Sequence, residues 1–102
     1  MNSRKVKESP LEQGVDEQIS YTLTTTPWGS APVAVAVKAY DTTTSFADVS
    51  ATVLSGAASV GGDVITLPLL KSLTLGHTYR VEVKFTVNGN IMEAYFEVLA
   101  GR

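Results

Sequence analysis

Few side chains in this sequence could carry out catalysis. The only histidine is His77, which follows Gly76 in a stretch without strand periodicity, and the chain has no cysteine. The lack of cysteine excludes a disulfide framework, a cysteine-ligated zinc site and a thiol nucleophile. A lone imidazole without carboxylates at ligand spacing is explained as a solvated loop residue. We therefore predict that the chain holds no metal and that His77 is not a catalytic base.

Three carboxylates, Glu82, Glu93 and Glu97, occupy one face of a predicted hairpin near the end of the chain. Glycosidases use such groups as general acids, but that role needs a raised pKa in a sheltered cleft. Here the carboxylates lie on an open sheet face beside Arg80 and Lys84, which favour the ionised form. Cross-strand ion pairing is therefore the expected role of these acids.

Two further motifs have simple structural explanations. Gly61-Gly62 lacks the Gly-Lys-Ser/Thr ending and the helix start of a phosphate-binding loop, so it is predicted to form a turn. Asp41, Asp48 and Asp63 lie in or near loops, without the clustered D-x-D pattern of a calcium site. We therefore expect no cofactor, no small-molecule substrate and no enzymatic activity.

The charge and hydropathy of the chain bear on its partners. With 102 residues and a net charge of −2, it has no basic field that would attract nucleic acid or an anionic membrane. Its longest apolar run, residues 33–37, is far shorter than the roughly 20 residues that cross a bilayer. We therefore expect one small domain that binds neither nucleic acid nor membrane.

The composition divides the chain into two segments. Residues 1–17 are rich in charged side chains, contain Pro10 and Gly14 as breakers, and lack the apolar centre of a signal peptide. We expect residues 1–17 to form a flexible N-terminal arm, either a frayed end or a segment that orders on a partner. Residues 18–102 then form the folded domain.

The second segment has the apolar period of β-strands. Strands are predicted at residues 19–24, 33–40, 48–54, 57–60 and 64–67. The strand at 33–40 is expected to place Val33, Val35 and Val37 on one face. Because both of its faces carry mostly small apolar residues, a central position in a sheet is predicted for it.

The clearest pattern is a hairpin in the last third of the chain. Apolar and polar residues alternate without error before Asn88-Gly89, a pair that favours the type I′ turn. After it, an apolar set from Met92 to Val98 alternates with a mixed set from Ile91 to Glu97. A two-residue turn there places Phe85 opposite Met92 on the inner face. It places Lys84 opposite Glu93 on the outer face, where their charges attract.

Together these elements predict an all-β fold. About seven short antiparallel strands with regular turns favour a two-sheet sandwich, with a small barrel as the alternative. The stretch from Leu73 through Gly76 to Tyr79 resembles the corner before the sixth strand of fibronectin type III domains. The resemblance implies an immunoglobulin/fibronectin III-like sandwich in which the Tyr79 phenol binds the backbone upstream and Leu73 is buried.

Several stretches share a second resemblance: the Thr-rich first strand, the turn and strand from Gly62 to Pro68, the corner and the terminal hairpin. Through them residues 18–99 look like small immunoglobulin-like proteins encoded among the virion-structure genes of tailed phages and prophages. This implies a non-enzymatic structural or interaction protein that contacts other virion or host proteins, or further copies of itself. It would lie in the cytoplasm during assembly and then in the virion. A surface-exposed module that binds a glycan or a protein is the alternative.

Four residues outside the corner are candidate contact residues. Trp28 lies in a polar loop, where it is either a lid over the core or an anchor for a partner. Ile91 and Tyr95 fall on the outer face of the hairpin, with Tyr40 expected nearby, and together they form an apolar patch. In the alternative function, Trp28 and Tyr40 contact the ligand.

Overall fold

The computed structural model describes residues 11–26 and 28–101. Within them the chain forms ten strands and one helical turn, α1 (Ser50–Val53). The prediction of an all-β fold is confirmed. The strands are β1 (Leu11–Gly14), β2 (Thr22–Thr24), β3 (Val33–Asp41), β4 (Ala47–Asp48), β5 (Leu54–Ser55), β6 (Ser59–Gly61), β7 (Val64–Thr66), β8 (Leu69–Leu70), β9 (Thr78–Val87) and β10 (Asn90–Gly101).

The strands form two layers. One is a five-stranded sheet in the order β1-β10-β9-β3-β4, which we call the large sheet. The other combines a three-stranded sheet, β2-β7-β6, with a two-stranded sheet, β5-β8. Backbone contacts join these two small sheets, because Ile19 bridges Leu70 and the Leu67 amide donates a hydrogen bond of 2.8 Å to the Tyr21 carbonyl. This arrangement is consistent with an all-β sandwich.

The inner face of the large sheet supplies most of the core. Alternate residues of β9 and β10 are buried, and the residues between them lie on the opposite face. The buried residues pack against a second set from the other layer and its connections, which includes Leu23, Val53, Ile65, Leu67, Leu70 and Leu73. The residues of β9 and β10 on the opposite face are half-buried or exposed.

The predicted register of the hairpin is confirmed. Phe85 pairs with Met92, and Lys84 pairs with Glu93. Asn88 and Gly89 have φ angles of 50° and 77°, the positive values that a type I′ turn requires. This turn therefore decides which residues of β9 and β10 face the core.

Part of the segment predicted as an N-terminal arm is a strand. β1 pairs in parallel with the end of β10, with Leu11 opposite Val98. Gln13 in β1 is only 1% exposed, and its side-chain amide donates a hydrogen bond of 2.8 Å to the Leu70 carbonyl. The folded domain therefore includes residues 11–17, which corrects the expected boundary at residue 18. Residues 1–10 of the predicted arm lie outside the described residues.

Residues 48–54, predicted as one strand, contain a helical turn. The Asp48 carboxylate accepts hydrogen bonds from the Ser50 amide at 3.0 Å and from the Ser50 hydroxyl at 2.7 Å. These local bonds compete with strand pairing and end β4 at Asp48. With β1, with β8, and with β4 and β5 in place of this predicted strand, the described part of the chain has ten strands instead of about seven.

β3 lies next to the edge of the large sheet, and the prediction of a central position is wrong. β9 pairs along its length, but β4 pairs only with its last two residues, Tyr40 and Asp41. A bulge between Val33 and Ala36 inserts one extra residue, with Ala34 at a φ of 54°. The bulge moves Val33 to the face opposite the other valines of the strand.

Candidate interaction surface

The Tyr79 side chain fixes the corner that precedes β9. Tyr79 is buried, and its hydroxyl accepts a hydrogen bond of 2.7 Å from the Thr74 amide. Leu73 is buried in the core, and Gly76 has a φ of 83°, which residues with a side chain rarely adopt. Leu73, Gly76 and Tyr79 therefore hold the start of β9 against the core.

Asp41 and His77 form a pair at the same end of the large sheet. The His77 Nδ1 lies 2.7 Å from the Asp41 Oδ2, and Asp41 is only 6% exposed. The amides of Thr43 and Thr44 and the Thr44 hydroxyl also donate hydrogen bonds to the Asp41 carboxylate. His77 therefore links the corner to the loop after β3, which corrects its expected role as a solvated loop residue.

These bonds change the acidity of Asp41. Burial acts to raise its pKa, but the hydrogen bond from His77, the charge of His77 and the two bonds from Thr44 act in the opposite direction. The net result is that the pKa of Asp41 lies below its usual range, because the ionised form accepts all of these donors. The carboxylate is therefore held in its charged state inside the fold.

Acid is expected to weaken this link. Because the pKa of Asp41 is lower in the folded than in the unfolded chain, its stabilising effect is complete above about pH 4. That effect is lost as the pH falls through the folded-state pKa. Asp41→Asn should lower the free energy of unfolding at about pH 6 by about 1–2 kcal/mol. It should also reduce the further loss of stability near pH 3, as measured by urea unfolding at both pH values.

The exposed residue Asp16 provides the control for this prediction. Asp16→Asn removes the same charge outside the pair and should leave the stability at both pH values close to that of the wild type. If Asp41→Asn and the wild type lost stability equally on acidification, the Asp41–His77 pair would not be a source of acid sensitivity.

The outer face of the large sheet presents a regular array of side chains, because paired residues on neighbouring strands share a face. The register of β3, β9 and β10 arranges these side chains in rows that cross the three strands. From the hairpin end to the corner end, the rows are Val33-Thr86-Ile91, Ala36-Lys84-Glu93, Lys38-Glu82-Tyr95 and Tyr40-Arg80-Glu97. We call this array the outer face.

The centre of the outer face is charged. The Arg80 guanidinium lies over the Tyr95 ring, 3.8 Å from its centroid. The Arg80 Nε is 2.8 Å from a Glu82 carboxylate oxygen, an ion pair without the alignment of a hydrogen bond. The register also places Lys38 beside Glu82. The basic and acidic side chains at the centre therefore largely neutralise one another, and Arg80 covers one side of the Tyr95 ring.

Exposed apolar side chains occupy both ends of the outer face. At the hairpin end, Val33 is 59% and Ile91 is 67% exposed, on either side of Thr86. We call Val33 and Ile91 the hairpin-end patch. At the corner end, the Tyr40 ring lies 6.1 Å from the ring of Phe46, which is 53% exposed. Apolar groups next to Arg and Tyr are typical of surfaces that contact other proteins.

Trp28 lies away from this face. Its ring packs edge-on against Phe85, with the centroids 6.0 Å apart, and it is half-buried against the core. Because Phe85 points inward, Trp28 covers the core at the hairpin end. The structure thus brings Tyr40, Ile91 and Tyr95 to the outer face and leaves Trp28 outside it.

Two residues of this surface, Val33 and Phe46, were not among the contact residues expected from the sequence. Val33 begins an apolar strand, and only the bulge after it turns its side chain outward. Phe46 follows the polar run from Asp41 to Ser45 in the loop before β4. A large aromatic residue at the end of a polar turn is the signal that could have identified Phe46.

Comparison with known proteins gives no relative, since no family model, no curated protein and no solved structure matches the chain. Within residues 11–26 and 28–101, no helix has the length and hydropathy needed to span a membrane. In the same ranges, no group of three or more acidic, histidine or cysteine side chains is placed to hold a metal ion. Function is therefore inferred from the outer face itself.

Proposed function

We propose that this chain is a non-enzymatic structural or interaction protein that acts through protein–protein contacts. The observation that carries the proposal is the hairpin-end patch, because Val33 and Ile91 are the two most exposed large apolar side chains of the described residues. They lie on a paired sheet, so a partner could cover them without ordering a flexible loop. Burial of this apolar surface would favour association.

For the fold we propose an immunoglobulin/fibronectin III-like sandwich. The chain passes between the two layers after β1, after β2, after β4 and after β8, as expected for a sandwich of this type. The hydrogen bond between the Thr74 amide and the Tyr79 hydroxyl supports the same assignment. Such a domain is a rigid spacer that presents its faces to partners.

The place that we propose for the protein is a phage or prophage virion. This part of the proposal rests on the resemblance of residues 18–99 to small proteins encoded among virion-structure genes. Its partners would be capsid, connector or tail proteins, host proteins or further copies of the chain. The protein would lie in the cytoplasm during assembly and in the particle afterwards.

A capture experiment tests the proposal. Tagged wild-type, Ile91→Glu and Val60→Glu proteins are produced in cells that carry the corresponding prophage, with and without induction, and captured proteins are quantified by mass spectrometry. After induction, the wild type should capture capsid, connector or tail proteins. Ile91→Glu should capture at least about tenfold less, because the contact would bury an unpaired carboxylate.

Val60→Glu is the matched control for this experiment. Val60 is 44% exposed on β6, in the other layer, so the same chemical change is made away from the outer face. This variant should capture as much as the wild type, and circular dichroism should show that both variants are folded. Equal loss in both variants would exclude the hairpin-end patch as the contact. If the wild type captured no virion protein after confirmed induction, the proposal that the protein is a virion component would be rejected. The surface-exposed module that binds a glycan or a protein would then be the proposed function.

A further inference from the structure

The charges along the middle strand of the outer face alternate in sign. From the corner end to the hairpin end, the outer side chains of β9 are Arg80, Glu82, Lys84 and Thr86. Lys84 is exposed and Glu82 is half-buried, so a facing surface can reach both. A second β9 laid antiparallel over this strand, centred between Glu82 and Lys84, places each Glu82 against the Lys84 of the other copy. The centre of the outer face is therefore complementary in charge to itself.

The same arrangement covers the apolar side chains at the two ends of the face. Val33 lies beside Thr86 and Tyr40 lies beside Arg80, so these two residues of β3 occupy opposite ends of the array. Reversal of the strand direction therefore brings Val33 of each copy, which is 59% exposed, against Tyr40 of the other. Phe46, whose ring lies 6.1 Å from that of Tyr40, extends this apolar contact.

Other two-fold arrangements of the same face are less favourable. An axis along β9, instead of across it, would place Glu82 against Glu82 and Lys84 against Lys84 of the second copy. Like charges directly opposite one another are destabilising. An axis between Arg80 and Glu82 keeps an opposite pair but leaves Val33 outside the four rows of the other copy. Charge and apolar contact together favour the axis between Glu82 and Lys84.

We propose that the outer face is the interface of a homodimer, in which two copies pack their large sheets face to face about a two-fold axis that crosses β9 between Glu82 and Lys84. Aligned sheets pack about 10 Å apart, a gap that a glutamate and a lysine side chain can span together. The two Glu82–Lys84 pairs fix the orientation, and the apolar contacts at the ends favour association. This deepens the proposed function, on which it rests in taking the outer face as a protein contact.

Sedimentation velocity of the full chain tests for the dimer. As the protein concentration rises from about 10 μM to about 1 mM, the wild type should change from mainly monomer to mainly dimer, because the interface is small. Salt at about 1 M should weaken the dimer, since it screens the Glu82–Lys84 pairs. A chain that stays monomeric at about 1 mM would overturn the inference.

Charge reversal makes the test specific to the proposed pairs. Glu82→Lys and Lys84→Glu each place like charges opposite one another, so each should raise the Kd of the homodimer at least about tenfold. Mixed in equal amounts, the two variants should dimerise with each other about as well as the wild type, because opposite charges meet again. Asp16→Lys makes the same charge change as Glu82→Lys at an exposed position outside the four rows, and should alter the Kd less than about twofold. Circular dichroism should show that all three variants are folded.

Cross-linking identifies the axis. The chain has no cysteine, so single cysteines can be introduced and joined by a short bismaleimide. Val33→Cys mixed with Tyr40→Cys should give cross-linked dimers, whereas Val33→Cys alone should give few. An axis along β9 would instead join Val33→Cys to Ile91→Cys.

Three results besides a monomeric wild type would overturn the inference. Failure of the mixed variants to dimerise would mean that Glu82 and Lys84 do not meet. Equal weakening by Asp16→Lys would mean a general effect of net charge, and preferential cross-linking of Val33→Cys to Ile91→Cys would mean a different axis. Capture of virion proteins is a separate measurement. A chain that stays monomeric but captures them keeps the proposed function, and a dimer that captures none loses only the virion assignment.

Discussion

Replacement of Phe85 by alanine is expected to lower the free energy of unfolding by about 3–5 kcal/mol. Phe85 is 1% exposed near the turn of the hairpin, where it pairs with Met92 and contacts the Trp28 ring. Alanine would leave a cavity beneath Trp28 that the paired strands cannot close. Urea unfolding followed by far-ultraviolet circular dichroism measures the change without depending on the fluorescence of the adjacent tryptophan.

Lys84 provides the control for this substitution. It neighbours Phe85 on β9, but its side chain is exposed on the outer face. Lys84→Ala should change the free energy of unfolding by no more than about 0.5 kcal/mol. If the two variants had similar stabilities, the assignment of β9 residues to the core side and the solvent side would be wrong. The array of side chains that we call the outer face would then be wrong as well.

The second large effect is expected at Gln13. Replacement by leucine should lower the free energy of unfolding by about 2–3 kcal/mol, because it removes a buried side-chain amide that forms three hydrogen bonds. That amide donates to the Leu70 carbonyl at 2.8 Å and the Glu17 carbonyl at 2.9 Å, and it accepts from the Tyr21 hydroxyl at 2.8 Å. Burial and then the charge of Glu17 raise the pKa of Tyr21, which keeps its phenol protonated as the donor.

Two further variants make the test of Gln13 specific. Tyr21→Phe removes one of the three bonds and should lower the free energy of unfolding by about 1 kcal/mol. Combined with Gln13→Leu, it should add little, because both changes break the same bond. Glu12→Ala alters the exposed neighbour in β1 and should have almost no effect. A Gln13→Leu protein as stable as the wild type would show that β1 is not an integral strand of the large sheet.

The hairpin could be predicted from the sequence because the residues that determine it are close together in the chain. Asn88 and Gly89 supply the positive φ angles of the turn, and a two-residue turn leaves one register between the alternating strands. The pairing of Phe85 with Met92 follows from that register without knowledge of the rest of the chain. The rows of the outer face on β9 and β10 follow from it as well.

β1 could not be predicted because the groups that hold it are distant in sequence. Gln13 is separated from Leu70 by 57 positions, and a polar residue in a charged segment gives no signal of burial until its partners are known. Likewise, the bulge in β3 depends on its pairing with β9. An alternating sequence pattern therefore could not predict that Val33 lies on the outer face.

Trp28 and Tyr40 lie in different parts of the fold. The sequence suggested Trp28 and Tyr40 as ligand contacts of a binding module, but Trp28 covers the core while Tyr40 lies on the outer face beside Phe46. The exposed residues that do share a face belong to the outer face of the large sheet, which has apolar ends and a charged centre. Such a surface suits contact with another protein.

Side-chain oxidation footprinting tests the central claim most directly. Hydroxyl radicals are applied to the chain alone and to the chain bound to a captured partner, and oxidation is read residue by residue with mass spectrometry. If the outer face is the contact surface, oxidation of Ile91 and Val33 should fall on binding. Oxidation of Val60 and Leu75, which are 44% and 50% exposed elsewhere, should stay unchanged. Protection of Val60 or Leu75 with none at Ile91 would contradict the claim.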